Sequence, residues 1–341
     1  MSLLKQLYYS FSTILPTTLL QKVAKSPALF PYHHVVSDEE LLHIKHLYSY
    51  KNQKQFIEDL DHLLRFYKPL SVEDLKDAVE KNRNTPSNSF LLTFDDGFRE
   101  VYDLIAPILV SKGIPAIFFI NPAFIDNKEL FYRSKISLLI EQILRNQSNT
   151  TLLEGCKNVL TEITAVDAST IIAHLKKITN RTQYLTDDLA AIFEFSFTDY
   201  LVQKKPFLTT AQLIELNQKG FTIGAHSWDH PYYDLLSQED QLLQTQRSIE
   251  FVKEKIQPSV ATFSFPHFDN NIPQSFFAEL AAATSVDLLF GIQNQKKELQ
   301  NRMIHRFNAE RPEMPMSKQL NGVLLLMMLR QLMGKNAVER K

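Results

Sequence analysis

The stretch Phe90-Leu91-Leu92-Thr93-Phe94-Asp95-Asp96-Gly97, continued by Val101 to Lys112, Gly113 and Ile117 to Ile120-Asn121-Pro122, decides the reading of the fold. Phe90 to Phe94 is an apolar run of strand length that stops at a polar Asp-Asp-Gly turn. Val101 to Lys112 carries a helical pattern, and Gly113 stands where a helix C-cap is expected. Ile117 to Ile120 is a second continuous apolar run, closed by Asn121-Pro122. A strand, a helix and a strand joined by short connections make a βαβ unit, and hence a parallel sheet covered on both faces.

Working outward, the same alternation recurs. Phe56, Leu60, Leu63, Leu64 and Tyr67 lie at helical spacing over Gln55 to Tyr67. Ser71 caps a second short helix, with Asp74 three residues on. Downstream, Ala211 to Lys219 reads as a helix stopped by Gly220, and Phe221 to Ala225 as a strand. Gln238 to Ile256 is helical in pattern, and Val260 to Phe265 is a strand ending at Pro266. Between residues 126 and 206 the character changes to amphipathic helices, such as Ser134 to Leu144 and Ala168 to Lys177. The expected layout is a discontinuous α/β domain over 26–125 and 207–317, a helical insertion over 126–206, and a helical tail over 318–341.

Composition narrows the function classes. The 341 residues carry 37 Lys plus Arg against 38 Asp plus Glu, for a net charge of -1, which makes no electrostatic case for nucleic acid or an anionic membrane as main partner. The single Cys156 excludes an internal disulfide framework and a cysteine zinc finger. Leu7 to Leu20 is apolar but interrupted by Tyr8, Tyr9, Ser10, Ser12, Thr13 and Pro16, with no clear cleavage site after it. It is expected to be a helix packed on the domain rather than a signal peptide, which favours a cytoplasmic or peripheral location over secretion. Val323 to Leu329 is closed by Arg330, far short of a membrane span, so no transmembrane segment is expected. The pattern carries no signal of oligomeric state.

Three strand ends bear the reactive side chains, and the C-terminal ends of parallel strands are where such folds build their sites. Adjacent residues on a strand point in opposite directions, so Asp95 and Asp96 can serve two tasks. In Gly224-Ala225-His226-Ser227-Trp228-Asp229-His230, two imidazoles four residues apart can face one ion. In Ser264-Phe265-Pro266-His267, the proline redirects the chain and leaves the next backbone N–H free to point into a pocket. His43 and His46, in a polar stretch, are assigned no role. One carboxylate with two histidines leaves open positions on a divalent ion, as in catalytic zinc sites and non-haem Fe(II) oxygenases. A second carboxylate beside the ligand favours hydrolysis, where water attack needs a general base.

These segments resemble the polysaccharide deacetylase family, also known as the NodB homology domain or carbohydrate esterase family 4. Thr93-Phe94-Asp95-Asp96-Gly97 is similar to its TFDDG motif, and His226-Ser227-Trp228-Asp229-His230 to its H-[ST]-x-x-H motif. Tyr32-His33-His34-Val35 resembles the YHxV strand of many members. The resemblance implies an irregular (β/α)7-type barrel of the glycoside hydrolase/deacetylase superfamily. It also implies metal-dependent hydrolysis that removes N- or O-acetyl groups from a carbohydrate such as an N-acetylated glycan. By resemblance, Asp95 is the general base and Asp96, His226 and His230 are the metal ligands. Zinc is the first choice of ion, with Co2+, Ni2+, Fe2+ or Mn2+ as alternatives. His305, in Met303-Ile304-His305, corresponds to the general acid. Pro266, the N–H of His267, Met303 and His33 are expected on the substrate side. Two departures stand out: Ser264 occupies the position of the family's base-orienting Arg, and no D-x-x-D-W motif is found, leaving Asp287 as a weak candidate for the carboxylate beside His305. Two alternatives are another C–N hydrolase on the same scaffold and a non-catalytic carbohydrate-binding relative.

Overall fold

Parallel pairing starts where Tyr32 lies opposite Thr93 and His33 opposite Phe94. The computed structural model describes residues 15–340 except 26, 162, 164 and 299–301. The expected N-terminal helix therefore falls largely outside the described residues; within them, Thr17–Val23 is helical and packs against the C-terminal helix Met316–Leu332. The described strands are β1 (Pro31–His33), β2 (Lys68–Pro69), β3 (Ser89–Phe90), β4 (Leu92–Phe94), β5 (Ala116–Ile120), β6 (Thr222–Ala225), β7 (Thr262–Ser264), β8 (Leu288–Gly291), β9 (Met303–His305) and β10 (Phe307–Asn308). Eight of them form one all-parallel sheet in the order β10-β1-β4-β5-β6-β7-β8-β9, and β2 pairs with β3.

The two edge strands, β9 and β10, are consecutive in the chain with Arg306 alone between them. One segment, 303–308, thus pairs with β8 at its start and with β1 at its end, and nearly closes the sheet into a barrel. The Arg306 N–H donates to Gly291 O (2.8 Å) and the Phe307 N–H to Phe30 O (3.0 Å), so the backbone changes partner at this residue. Counting 303–308 as one stave beside β1 and β4 to β8 makes seven, the irregular (β/α) barrel expected from the motifs.

Side-chain alternation along the strands sorts the core into layers. Phe94, Phe118, Ile120, Ile223 and Phe263 pack with the surrounding helices, while Leu91, Ile117, Phe119, Leu288 and Phe290 form a separate cluster of the opposite parity, filling the interior. Gly224 makes that filling possible: a Cβ there would lie 2.5 Å from the Phe119 ring and 2.4 Å from Thr262 Oγ1. Thr93 and Asp95 share the inward parity, which carries Asp95 to the top of the barrel interior.

The helices follow the expected positions: Gln53–Phe66, Val72–Glu80, Thr210–Gln218 and Gln238–Lys255. Ser71 caps the second, its Oγ accepting from the Asp74 N–H (3.1 Å). Two elements differ. The run Phe90 to Phe94 is not one strand, because Ser89–Phe90 bonds to β2 while the Leu91 N–H turns to Leu29 O (3.0 Å). The helix after Gly97 opens with a wide π turn, Val101–Ile105, before Ala106–Ser111; Pro107 has no N–H to give the preceding turn and its ring crowds that turn's carbonyl.

The stretch expected as an insertion contains, among the described residues, the helices Tyr132–Arg145, Thr150–Val159, Ala168–Leu175, Leu185–Ile192 and Phe197–Lys204. Their shared core includes Leu139, Ile143, Cys156, Ile171 and Leu189, and extends to Val35, Ile44, Phe98 and Phe207 of the barrel's connections. No helix among the described residues is long and apolar enough to cross a membrane.

Candidate metal centre

Asp96, His226 and His230 converge at the C-terminal ends of β4 and β6. Asp96 Oδ1 is 3.6 Å from His226 Nε2 and 3.3 Å from His230 Nε2, and all three side chains are buried. The local backbone is built for this. Asp96, Ser227 and His230 take positive φ (73°, 65° and 61°), a conformation that L-residues hold only when their surroundings impose it. Ser227 Oγ accepts the His230 N–H (3.1 Å), and the Asn121 side-chain amide donates to His226 O. These bonds explain the serine and the strand-closing asparagine in the sequence.

The imidazole of His226 is set by its second nitrogen, with Nδ1 donating to Ser264 O at 2.8 Å. That bond leaves Nε2 as the lone-pair atom, the tautomer a metal ligand needs. Burial and the Asp95 charge act in opposite senses on this ring, and burial prevails, taking its pKa down to about 4. Burial would raise the Asp96 carboxyl, but the imidazoles of His230, His34 and His226 hold it well below the carboxylate range. Asp96 Oδ1 and His230 Nδ1 are both buried without a hydrogen-bond partner. A buried carboxylate oxygen left without a hydrogen-bond partner, with two imidazole nitrogens converging on it, is a donor set that fits a divalent cation.

Asp95 stands apart from these three side chains and is held by a residue the motifs did not reveal. Arg306 Nη1 donates to Asp95 Oδ1 (2.7 Å) and to Thr93 Oγ1 (2.8 Å); Nη2 donates to Asp95 Oδ2 (2.9 Å) and to Ser264 Oγ (2.6 Å). Both partners are buried, Arg306 wholly so. Burial alone would raise the Asp95 carboxyl, but the Arg306 charge, with help from His226, outweighs it and keeps the group ionised. The cation absent at Ser264 is thus supplied from the barrel's closing segment, and Ser264 serves as its hydrogen-bond partner.

The remaining candidates fall in different places. Pro266 is buried, and His267, at φ 55°, has a backbone N–H that donates to no group among the described residues. The His267 ring lies edge-on to His230 with centroids 4.4 Å apart, which puts it beside the Asp96-His226-His230 cluster. Met303 is buried in the core beside Gly291 and Asp269. His305 is enclosed: Nε2 lies 3.2 Å from Glu298 Oε2, Nδ1 lies 3.8 Å from Asp269 Oδ2 and accepts from the Gln293 N–H at 3.3 Å. Arg340 binds both carboxylates, with Nη2 2.9 Å from Asp269 Oδ2 and 2.7 Å from Glu298 Oε2. Asp287 is not the partner of His305; it accepts from the Ala261 N–H and pairs with Lys76 on another side of the barrel.

His33 does not line the site. Strand parity turns it outward, stacked on Phe94 (5.5 Å, 21°) and edge-on to Phe56 (5.5 Å). His34, the next residue, points the other way. Its Nδ1 is 2.7 Å from Glu310 Oε2, while Glu310 Oε1 accepts the N–H groups of His34 and Val35. Burial opposes a charge here, but Glu310, Asp96 and Asp95 together lift the His34 pKa to about 9. A histidine with a raised pKa stabilises the fold fully below its unfolded value near 6.5, and that contribution is lost as pH rises through about 9. In metal-free protein this pair should therefore contribute roughly 3 kcal/mol that disappears between about pH 6 and pH 10. Denaturant titrations at both ends should find the loss in the wild type and a flattened dependence in Glu310→Gln; equal slopes would refute it.

A model of the polysaccharide deacetylase family matches residues 82–275, more than half of the chain. No curated protein matches. Among solved structures, the chain is similar to the Streptococcus pyogenes deacetylase PplD in complex with acetate and to IcaB from Ammonifex degensii. Each is 14% identical with a TM-score of 0.54, over 87% of this chain and 97% of the other. A de-N-acetylase from Aggregatibacter actinomycetemcomitans aligns with a TM-score of 0.53 at 14% identity, over 86% of this chain and 99% of its own. At this identity the likeness is one of fold.

Proposed function

Because the chain belongs to the polysaccharide deacetylase family, hydrolases of carbon–nitrogen bonds outside peptides, we propose that it removes acetyl groups from an N-acetylated carbohydrate in a metal-dependent hydrolysis. The observation that carries this reading is the pairing of a buried Asp96-His226-His230 cluster with a separate carboxylate, Asp95, forked by Arg306. Asp96, His226 and His230 would hold the ion, zinc first among the candidates. Bound there, a divalent cation supplies Lewis-acid polarisation of the acetyl carbonyl and an acidified water.

The chain's own residues do the rest. Asp95 accepts the proton of the attacking water, kept anionic and oriented by Arg306. The free N–H of His267 faces the oxyanion, and Pro266 shapes the acetyl side, whereas Met303, turned into the helix-facing core, does not. His305, flanked by Glu298 and Asp269, returns a proton to the leaving amine as the C–N bond breaks. A second donor is favoured by one observation: His34 is cationic at neutral pH and its side chain is 22% exposed, whereas that of His305 is fully enclosed.

The test is acetate release from defined N-acetylated oligosaccharides by zinc-loaded protein, with Asp95→Asn, His305→Gln and His34→Gln in parallel. Asp95→Asn should keep its metal and lose at least about a hundredfold in kcat, the scale of a general base. The histidine variant that loses comparable kcat identifies the donor. Asp95→Asn at full activity would overturn the assignment, and release from no glycan would overturn the function.

A further inference from the structure

The helical insertion reaches the metal centre through its first helix. Phe131, which precedes Tyr132–Arg145, lies edge-on to the His230 ring at 4.8 Å. Two residues on, Arg133 Nη1 donates to Tyr232 Oη at 2.6 Å. Tyr232 in turn lies flat on the His267 imidazole, with centroids 3.7 Å apart and 11° between the planes. No carboxylate lies within 4 Å of Arg133 among the described residues, so its bond to Tyr232 is not a by-product of an ion pair. Tyr232 also packs against the apolar core of the insertion.

His267 needs such support. It is a non-glycine residue at φ 55° in the loop after β7, a conformation that costs about 1–2 kcal/mol unless its neighbours impose it. The loop is tied on either side of it, by the Phe265 N–H donating to Phe290 O and by Arg340 Nη1 donating to Asp269 O (2.6 Å), but among the described residues no bond holds the His267 N–H itself. At His267 itself the contacts are made by the ring, with His230 on its edge and Tyr232 on its face. The Arg133 charge is also felt at the His267 imidazole, in keeping with their closeness.

We propose that the insertion sets the oxyanion-binding loop, with Arg133 acting through Tyr232 to hold His267 in the conformation that presents its free N–H to the reacting carbonyl. Arg133 and Tyr232 are thus positioning residues. The inference rests on the role given to the His267 N–H in the deacetylation reading. The substrate consequence is that the insertion is part of the active site, and a chain with the metal triad but a displaced insertion would bind metal and turn over poorly.

The experiment uses full-length, zinc-loaded protein and the variants Arg133→Gln, Arg133→Lys, Tyr232→Phe and Arg133→Gln/Tyr232→Phe. Metal content, kcat and KM for acetate release, and hydrogen exchange of peptides spanning residues 264–270 are measured on each. Arg133→Gln and Tyr232→Phe should each lower kcat about tenfold or more, since small misplacements of a donor are expensive, with KM and zinc content unchanged. Exchange over 264–270 should quicken, the double variant should be no worse than either single one, and Arg133→Lys should recover part of the loss. Unchanged kcat and exchange would overturn the proposal, as would losses that multiply in the double variant or that track loss of zinc. If no glycan yields acetate with the wild type while exchange still quickens in the variants, the deacetylation reading fails and the clamp on His267 stands.

Discussion

Asp96→Ala and His226→Ala are each expected to abolish metal occupancy and to lower kcat/KM by more than about a thousandfold, because three ligands leave no redundancy for an ion that supplies both the polarised carbonyl and the nucleophile. The same substitution should also lower the stability of the metal-free protein near neutral pH. The imidazoles of His230, His34 and His226 hold the buried Asp96 carboxyl ionised, so removing it takes a favourable interaction from the fold. Elemental analysis and acetate release should fall together, and the urea midpoint of metal-free Asp96→Ala should fall with them. A variant that kept its metal, or full activity, would refute the ligand assignment.

Arg306→Met carries the second large effect, and here activity and stability should fall together. Arg306 is wholly buried and makes two bonds to Asp95, one to Thr93 and one to Ser264. Removing one partner of a buried charge pair strands the other, at a cost of about 3–5 kcal/mol. The sign of the pH effect follows from Asp95. Its depressed pKa stabilises the fold above the unfolded carboxylate value, and that contribution fades as pH falls through the folded one. Without Arg306 the largest opposition to burial is gone, so the Asp95 pKa rises and the acid limb of kcat/KM should move to higher pH. Asp95→Asn combined with Arg306→Met should be less destabilised than the sum of the single changes, since neither charge is then left alone. Arg306→Met within about 1 kcal/mol of the wild type, with its acid limb unmoved, would sink the role given to the pair.

Much of this site was legible in the sequence because its strands are continuous apolar runs cut short by reactive residues. Asp95, Asp96, His226, His230 and Pro266 sit at such breaks, and the structure gathers Asp96, His226 and His230 into one cluster with Asp95 Oδ2 4.0 Å from His226 Nε2. Arg306 was not legible. It lies 211 positions from Asp95, next to His305, in a segment whose strands are three and two residues long. So short a strand has no periodicity to read, and the barrel's closure is a tertiary fact. His33 and His34 posed a different problem, one of parity: either could face inward until the pairing of Tyr32 with the inward Thr93 turns His33 to the helices. The amphipathic helices of the insertion were readable as helices, yet the bond from Arg133 to Tyr232, 99 positions away, could not be.

The seam between β9 and β10 has a consequence for how this protein comes to be competent. Those two strands are joined by one residue, and that residue's side chain is the one that orients Asp95. The joint that closes the barrel is therefore also the one whose side chain holds Asp95. A molecule with every other strand in place but that joint open could still bring together Asp96, His226 and His230, at the ends of β4 and β6, and lack an aligned Asp95. Metal uptake would then count chains that have assembled their central strands, whereas turnover would count those that have shut the ring.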